Sequence, residues 1–198
     1  ILLAVFGSEN QIQLLAWIFT MRFLMIVTSV IAYWINNVKT VMYAKKCEKE
    51  SKPFDFEVPL TNLVWLTSIL SIIMTFGVSH WLLGSLPNNL WLILSLIISC
   101  GTLGAALIPE ATKVFTSPKA KHTKEVVTAS REGGASLTIL SGIVAGNFSG
   151  FWIGLVIVLL MGLAYAASLN IADDLMIYSS VFAFGLVAFG FLGMGPVT

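Results

Sequence analysis

The stretch FWIGLVIVLLMGLAYAASL, residues 151–169, contains no charged side chain. About 20 consecutive apolar residues are enough to span a bilayer as an α-helix, and several stretches of this chain approach that length. The composition agrees, because 57% of the 198 residues are hydrophobic and only 11% are charged, with a mean hydropathy of +0.90. A soluble domain carries roughly a quarter of its residues as charged groups. The sequence therefore predicts an all-α integral membrane protein.

The apolar stretches divide the chain into five predicted spans joined by polar segments. They cover approximately residues 11–38, 58–86, 90–109, 135–169 and 175–198. We therefore expect a bundle of about five transmembrane helices. Both ends of the chain are apolar, and the first residue is not a methionine, so we expect the chain to be an internal piece of a longer protein.

The basic residues predict the orientation of these spans. Ten of the eleven Lys and Arg residues fall in two loops, 39–57 and 110–132, whereas the turns near 84–90 and 169–174 have none. Cytoplasmic loops of membrane proteins carry an excess of Lys and Arg, so we expect both basic loops to be cytoplasmic. This topology signal explains the loops better than recognition of lipid headgroups or nucleic acid does.

Arg22, the remaining basic residue, lies inside the first predicted span. An arginine at that depth costs about 3 kcal/mol or more unless it is paired or hydrated. The predicted spans of this chain contain no carboxylate. We expect its partner to be a backbone carbonyl, a lipid headgroup or an acid outside this chain.

The fourth span carries glycine at every fourth position: Gly142, Gly146, Gly150 and Gly154. Close backbone approach at small residues is a main source of helix association in lipid, so we expect this stripe to pack on at least one neighbouring helix. An ion path beside the glycines is the less favoured alternative, since the stripe holds no ionisable group. Asn147 in the same stripe predicts an interhelical hydrogen bond rather than ion coordination.

Side chains suited to catalysis or metal binding are few and scattered. His80 and His122 have no companions at metal-ligand spacing. Glu110, at the end of the third span, is explained most simply by an ion pair with Lys113. The pair Asp173–Asp174 suits a helix start. We predict that this chain contains no catalytic, cofactor-binding or metal-binding residue.

Three segments resemble the membrane-bound, ion-pumping inorganic pyrophosphatases. The strongest likeness is TSPKAKHTKEVVTASREGGASLTILSGIVAGNFSG, residues 116–150, with its Thr-Ser, basic loop and small residues leading into Gly-x-x-x-Gly. FTMRFLMIVTSVIA, residues 19–32, is similar to a family helix with an arginine and a later serine, represented by Arg22 and Ser29. AFGFLGMGPVT, residues 188–198, resembles the helix that leads into the family's Asp-x-Tyr-Gly-Pro motif. The family's usual Glu-Tyr-Tyr reads Lys-Val-Phe at 113–115, which leaves the pumped ion open.

This resemblance implies a specific architecture and activity. Family members are homodimers of sixteen-helix subunits that hydrolyse inorganic pyrophosphate and export protons or sodium ions. They use Mg²⁺, a requirement for K⁺ being left open, and the magnesium ligands would lie outside this chain. The first four spans would be outer-ring scaffold and the fifth an inner-ring helix, so the chain alone is expected to be inactive. The implied location is a prokaryotic inner or plasma membrane, with no nucleic-acid partner.

A second hypothesis remains open at this point. The chain could be part of a secondary transporter or a non-enzymatic membrane scaffold, in which the basic loops and the glycine stripe serve assembly only. A secondary transporter should show inverted-repeat symmetry between its halves, and we find none in these five spans.

Overall fold

The computed structural model describes residues 11–50, 53–86, 89–169 and 179–193, and every regular element within them is an α-helix. The helices are α1 (Gln11–Lys49), α2 (Glu57–Leu83), α3 (Leu90–Thr116), α4 (Lys121–Ser168) and α5 (Ser179–Gly193). Within these described ranges, three helical stretches are long and apolar enough to cross a membrane: Ile12–Lys49, Glu57–Leu83 and Leu90–Ser168. The last of these contains both α3 and α4, and α5 is a shorter apolar helix. The predicted all-α membrane architecture is confirmed.

Much of the two predicted loops is helical. Helix α1 runs through residues 39–49, well past the predicted end of its span, and has 39 residues in all. The reason is local: Lys, Ala and Glu favour helix, and no Gly or Pro occurs between residue 39 and Pro53. Similarly, α3 continues through Pro109, and α4 begins at Lys121. The side of the membrane on which these segments lie stays a prediction.

The chain divides into two compact units, one formed by residues 1–106 and 161–198 and the other by residues 107–160. In the first unit, seven of the nine buried positions of α1 follow one another at intervals of three or four residues: Leu14, Trp17, Met21, Met25, Thr28, Ala32 and Asn36. This spacing places them on one face of a helix. Helix α3 is buried on nearly all sides from Ile97 to Thr102, and its side chains form a core with those of α1, α2, α5 and the end of α4.

The second unit contains the end of α3, a turn at residues 117–120 and most of α4. Helix α4 is broken at Gly134, which has φ 61° and ψ −148°. A positive φ is readily available only to glycine. The break directly precedes residue 135, where the fourth predicted span begins. It brings His122 from before Gly134 next to Phe148 from after it, with ring centroids 5.8 Å apart.

Candidate functional site

Arg22 lies on α1 with its side chain exposed, and its Nη1 donates a hydrogen bond to the backbone carbonyl of Leu192 at 2.9 Å. Leu192 is in the last turn of α5. Of the three partners expected for this arginine, the structure shows the backbone carbonyl. A cation at this end of a helix is favourable because the last carbonyls carry partial negative charge.

A second contact joins the same two helix segments. A Cβ on Gly193 would overlap the side chain of Met25, which is 3% exposed. Since Arg22 and Met25 are three residues apart, they lie on adjacent parts of one face of α1. The end of α5 is therefore held to α1 by one hydrogen bond and one close apolar contact.

Helices α3 and α5 approach each other backbone to backbone at two glycines. A Cβ on Gly101 would overlap the carbonyl oxygen of Val187, and a Cβ on Gly190 would overlap the carbonyl oxygen of Ile98. Because a backbone cannot move aside as a long side chain can, these positions require glycine. They belong to no regular stripe in the sequence, and sequence reasoning did not identify them.

A line of buried hydroxyl groups on α2 faces α1. Thr67, Ser71, Thr75 and Ser79 recur every fourth residue and are at most 4% exposed. Sequence reasoning missed this line, although its four-residue spacing is as regular as that of the glycine stripe. The four-residue spacing of these Ser and Thr residues was the signal that could have identified the line.

Three side-chain hydrogen bonds or close polar contacts connect α1 with the line of hydroxyls and the start of α2. The indole Nε1 of Trp17 donates to Ser79 Oγ at 2.9 Å. The hydroxyls of Thr28 and Ser71 are 3.4 Å apart, and Asn36 donates to the carbonyl of Pro59 at 3.1 Å. Among the described residues, no buried side-chain nitrogen or oxygen lacks a partner. The buried polar side chains of this interface therefore all have hydrogen-bond partners within the protein.

The glycine stripe of α4 does not pack within the described part of this chain. A Cβ added at Gly142, Gly146, Gly150 or Gly154 would meet no atom within 4 Å. Asn147 is exposed. The expected packing contacts of this stripe and the interhelical hydrogen bond of Asn147 stay a prediction.

A groove of about 490 Å³ lies within the second unit. Carbon atoms of residues such as Leu140, Val144 and Phe148 form most of its wall, and His122 and Glu125 contribute the charged or titratable groups. His122 Nδ1 lies 3.3 Å from a Glu125 carboxylate oxygen, and the His122 ring stacks on Phe115 with centroids 5.1 Å apart. One imidazole and one carboxylate do not suffice to hold a metal ion tightly.

Two of the other candidates for chemistry, Glu110 and His80, have local partners. Glu110 forms the expected ion pair with Lys113, at 3.7 Å. Cys47 and Cys100 are both free thiols, and the His80 ring packs edge-on against Trp91, with centroids 4.7 Å apart. The acids Glu9, Asp173 and Asp174 lie outside the described residues. In the described ranges, no three His, Cys, Asp or Glu side chains come close enough to hold a metal ion.

Comparison with known proteins identifies relatives of this chain. Residues 1–198 match the inorganic H⁺ pyrophosphatase family. The chain is 50% identical over 199 aligned residues to the K⁺-insensitive pyrophosphate-energized proton pump of Chlorobaculum tepidum, covering 100% of this chain and 26% of that protein. It thus spans about a quarter of the length of this curated relative. No solved structure matches the chain. With a family match over its whole length and half of its residues identical to a proton pump, the chain belongs to the inorganic H⁺ pyrophosphatase family.

Proposed function

We propose that this chain is part of a membrane pump that hydrolyses inorganic pyrophosphate and uses the energy to export protons. The observation that carries the proposal is the 50% identity to a pyrophosphate-energized proton pump over the whole chain. Protons are favoured over sodium ions because that relative is named as a proton pump, and insensitivity to K⁺ is proposed on the same ground.

Within the pump, we propose that α1 to α4 serve mainly as scaffold and that α5 is an inner-ring helix. The contacts described above support a scaffold role for α1 to α3. Their polar side chains bind one another or their own helix, as Thr75 does when it donates to the carbonyl of Ser71 at 2.7 Å.

Magnesium is the proposed cofactor, and its ligands are proposed to lie outside this chain. Mg²⁺ prefers oxygen ligands in octahedral geometry, mostly carboxylates and water. The described acids do not fit such a site, because they form no cluster and Glu110 is paired with Lys113. When bound, the metal would neutralise charge on the transferred phosphoryl group.

The functional unit is proposed to be a homodimer in a prokaryotic membrane, with residues 39–57 and 110–132 on the cytoplasmic side. A cysteine introduced at Lys49 or Lys121 should not react with an impermeant thiol reagent applied to intact cells, after the native cysteines have been replaced. Reaction of both introduced cysteines from outside would reverse this orientation.

The proposed function is tested with the full-length protein in sealed vesicles. We expect phosphate release from pyrophosphate in the presence of Mg²⁺, acidification of the vesicle interior, and no requirement for Na⁺ or K⁺. Residues 1–198 alone in detergent should release no phosphate. Hydrolysis without ion movement would contradict the pump, and absence of hydrolysis would favour the transporter or scaffold hypothesis. Hydrolysis by residues 1–198 alone would overturn the scaffold assignment.

A further inference from the structure

A cavity of about 60 Å³ is lined by the second half of α1 and the start of α2. The positions on α1 are three or four residues apart and therefore share one face of that helix, and the positions on α2 come from its first two turns. The described residues that line the cavity are Asn36, Lys39, Thr40, Tyr43, Val58, Pro59 and Asn62. All of them belong to the first of the two compact units.

Three of the polar side chains around the cavity are fixed by contacts of their own. Asn36 is 7% exposed and donates to the carbonyl of Pro59 at 3.1 Å. Thr40 donates to the carbonyl of Asn36 at 2.8 Å, and the Tyr43 ring packs against Phe54 with centroids 5.4 Å apart. These contacts need no ligand, so the walls of the cavity are already in place before one binds.

The two remaining polar side chains, Lys39 and Asn62, are exposed and supply hydrogen-bond donors. An ammonium group has three donors and no acceptor, and an amide group has two donors. None of the described residues that line the cavity is acidic. The lining therefore carries positive charge, and it favours an anionic ligand that is rich in acceptor oxygens.

The volume of the cavity fits one phosphate group. A water molecule needs about 10–15 Å³ of such a space, so the cavity of about 60 Å³ accommodates roughly four to six oxygen-sized atoms. A phosphate group has four oxygens around one phosphorus, and lysine is a common phosphate-binding residue. If the phosphate belongs to a lipid, its acyl chains have to lie outside the cavity, along the apolar surface of the helices.

The cavity lies where the apolar parts of both helices end. The first predicted span ends at residue 38 and the second begins at residue 58, so Lys39 and Val58 are at the predicted boundary between hydrocarbon and headgroups. The same boundary is predicted to be cytoplasmic, and cytoplasmic leaflets contain anionic lipids. Topology still explains the basic loop as a whole, whereas the site rests on the cavity, which is a separate observation.

We propose that this cavity binds the phosphate group of an anionic phospholipid, with the Lys39 ammonium and the Asn62 amide as donors. Because Lys39 belongs to α1 and Asn62 to α2, a bound phosphate connects the two helices and stabilises the folded protein. Free inorganic phosphate has the same chemistry and is the other source of the ligand. Binding is measured without turnover, so the proposal can be tested even if the proposed function is wrong.

The test uses the full-length protein, freed of lipid in detergent, and measures its Tm by size-exclusion chromatography after heating. Phosphatidylglycerol should raise the Tm of the parent, because a ligand that binds only the folded state stabilises it by mass action. Lys39→Met should at least halve this gain and weaken lipid binding in native mass spectrometry about fivefold, in line with the contribution of one lysine near an anionic headgroup. Asn62→Ala should reduce the gain by a smaller amount. Lys45→Met is the matched control, since Lys45 is an exposed lysine on α1 that does not line the cavity, and it should leave the gain almost unchanged.

Two further ligands separate the sources of the phosphate group. Phosphatidylcholine carries a cationic choline beside its phosphate and should raise the Tm less than phosphatidylglycerol does. Inorganic phosphate at the same concentration should have little effect. Equal gains from the two lipids would overturn the choice of an anionic lipid. A gain from inorganic phosphate that equals the gain from phosphatidylglycerol and is lost in Lys39→Met would overturn the lipid source and assign the cavity to the free ion.

The site itself is overturned if phosphatidylglycerol stabilises the parent, Lys39→Met and Asn62→Ala equally, because the lipid then binds elsewhere. It is overturned as well if Lys45→Met loses as much of the gain as Lys39→Met, since the lipid then responds to the overall charge of α1 and not to the cavity. If Lys39→Met does not fold, Asn62→Ala decides by the same comparison with the parent.

Discussion

Helices α2 and α4 both carry small residues at every fourth position, but among the described residues only the stripe on α2 is covered. Thr67, Ser71, Thr75 and Ser79 are at most 4% exposed, and α1 contributes the partners of two of them. The glycines at 142, 146, 150 and 154 have no atom within 4 Å of where a Cβ would be. The same period thus occurs on a buried face and on an open one.

The difference between the two stripes shows what a four-residue spacing of small residues can predict and what it cannot. Every fourth residue of a helix advances about 40° beyond a full turn, so such residues stay on one side of the helix over several turns. The period therefore identifies a face that another helix can approach closely. It does not say whether that helix belongs to the same segment of chain, and this chain spans only about a quarter of its relative.

The largest effect is expected from Ser71→Leu on the covered stripe. Ser71 is 4% exposed, and its hydroxyl lies 3.4 Å from that of Thr28, so the bulk of a leucine side chain would have to enter a filled interface. Overpacking of this kind costs about 1–3 kcal/mol. We expect a clear decrease in the Tm of the full-length pump, measured by size-exclusion chromatography after heating.

Gly77→Leu is the control for this substitution on the same helix. Gly77 has no atom within 4 Å of a Cβ, so the described residues offer no obstacle to a leucine there. If Ser71→Leu and Gly77→Leu lower the Tm equally, burial against α1 is not what distinguishes the stripe on α2.

The membrane fold and one ion pair could be predicted from the sequence, whereas the extent of the helices could not. The all-helical membrane fold followed from apolar stretches such as residues 151–169, and the Glu110–Lys113 pair followed from their spacing along a helix. The predicted spans in α1 and α3 end at residues 38 and 109, because hydropathy detects where apolar residues stop and not where helical hydrogen bonding stops. Both helices continue into polar sequence, to Lys49 and Thr116.

Other contacts could not be derived from one sequence. The approach of α3 and α5 depends on Gly101 and Gly190. Each has at least one other glycine in its own helix, and pairing them requires knowledge of which helices are neighbours. The sequence predicted three kinds of partner for Arg22. It could not identify the one observed, because every residue has a backbone carbonyl.

An intermediate effect is expected from Gly146→Leu and Gly150→Leu on the open stripe. We predict that helices of the pump outside this chain cover these glycines, so that a leucine holds a neighbouring helix away. The expected cost is about 1 kcal/mol each in the full-length protein, and therefore a smaller decrease in Tm than Ser71→Leu causes.

Ile143→Leu supplies the control for the glycine variants, since Ile143 is 56% exposed and the change conserves volume. It should leave the Tm unchanged. If the Tm of both glycine variants also equals that of the parent, the glycine stripe faces lipid. The stripe on α4 would then be open in the whole pump, as it is in the described residues.

The smallest effect is expected from Ser79→Ala, which removes one acceptor from the covered stripe without adding bulk. Ser79 Oγ accepts the hydrogen bond of the Trp17 indole at 2.9 Å, and both side chains are fully buried. The variant leaves an indole N–H without that partner, at a cost of about 0.6 kcal/mol if hydrogen bonds between membrane helices behave as they do on average.

Ser95→Ala is the matched control, because Ser95 is equally buried but donates to the Trp91 carbonyl of its own helix at 2.6 Å. Its removal leaves no donor unpaired, so its effect on the Tm should be smaller. In a Trp17→Phe background, Ser79→Ala should cost no more than this control, since the indole N–H is already gone. A cost for Ser79→Ala that persists unchanged in that background would mean that the serine acts through packing alone, and the covered stripe would then differ from the open one only in having a neighbour.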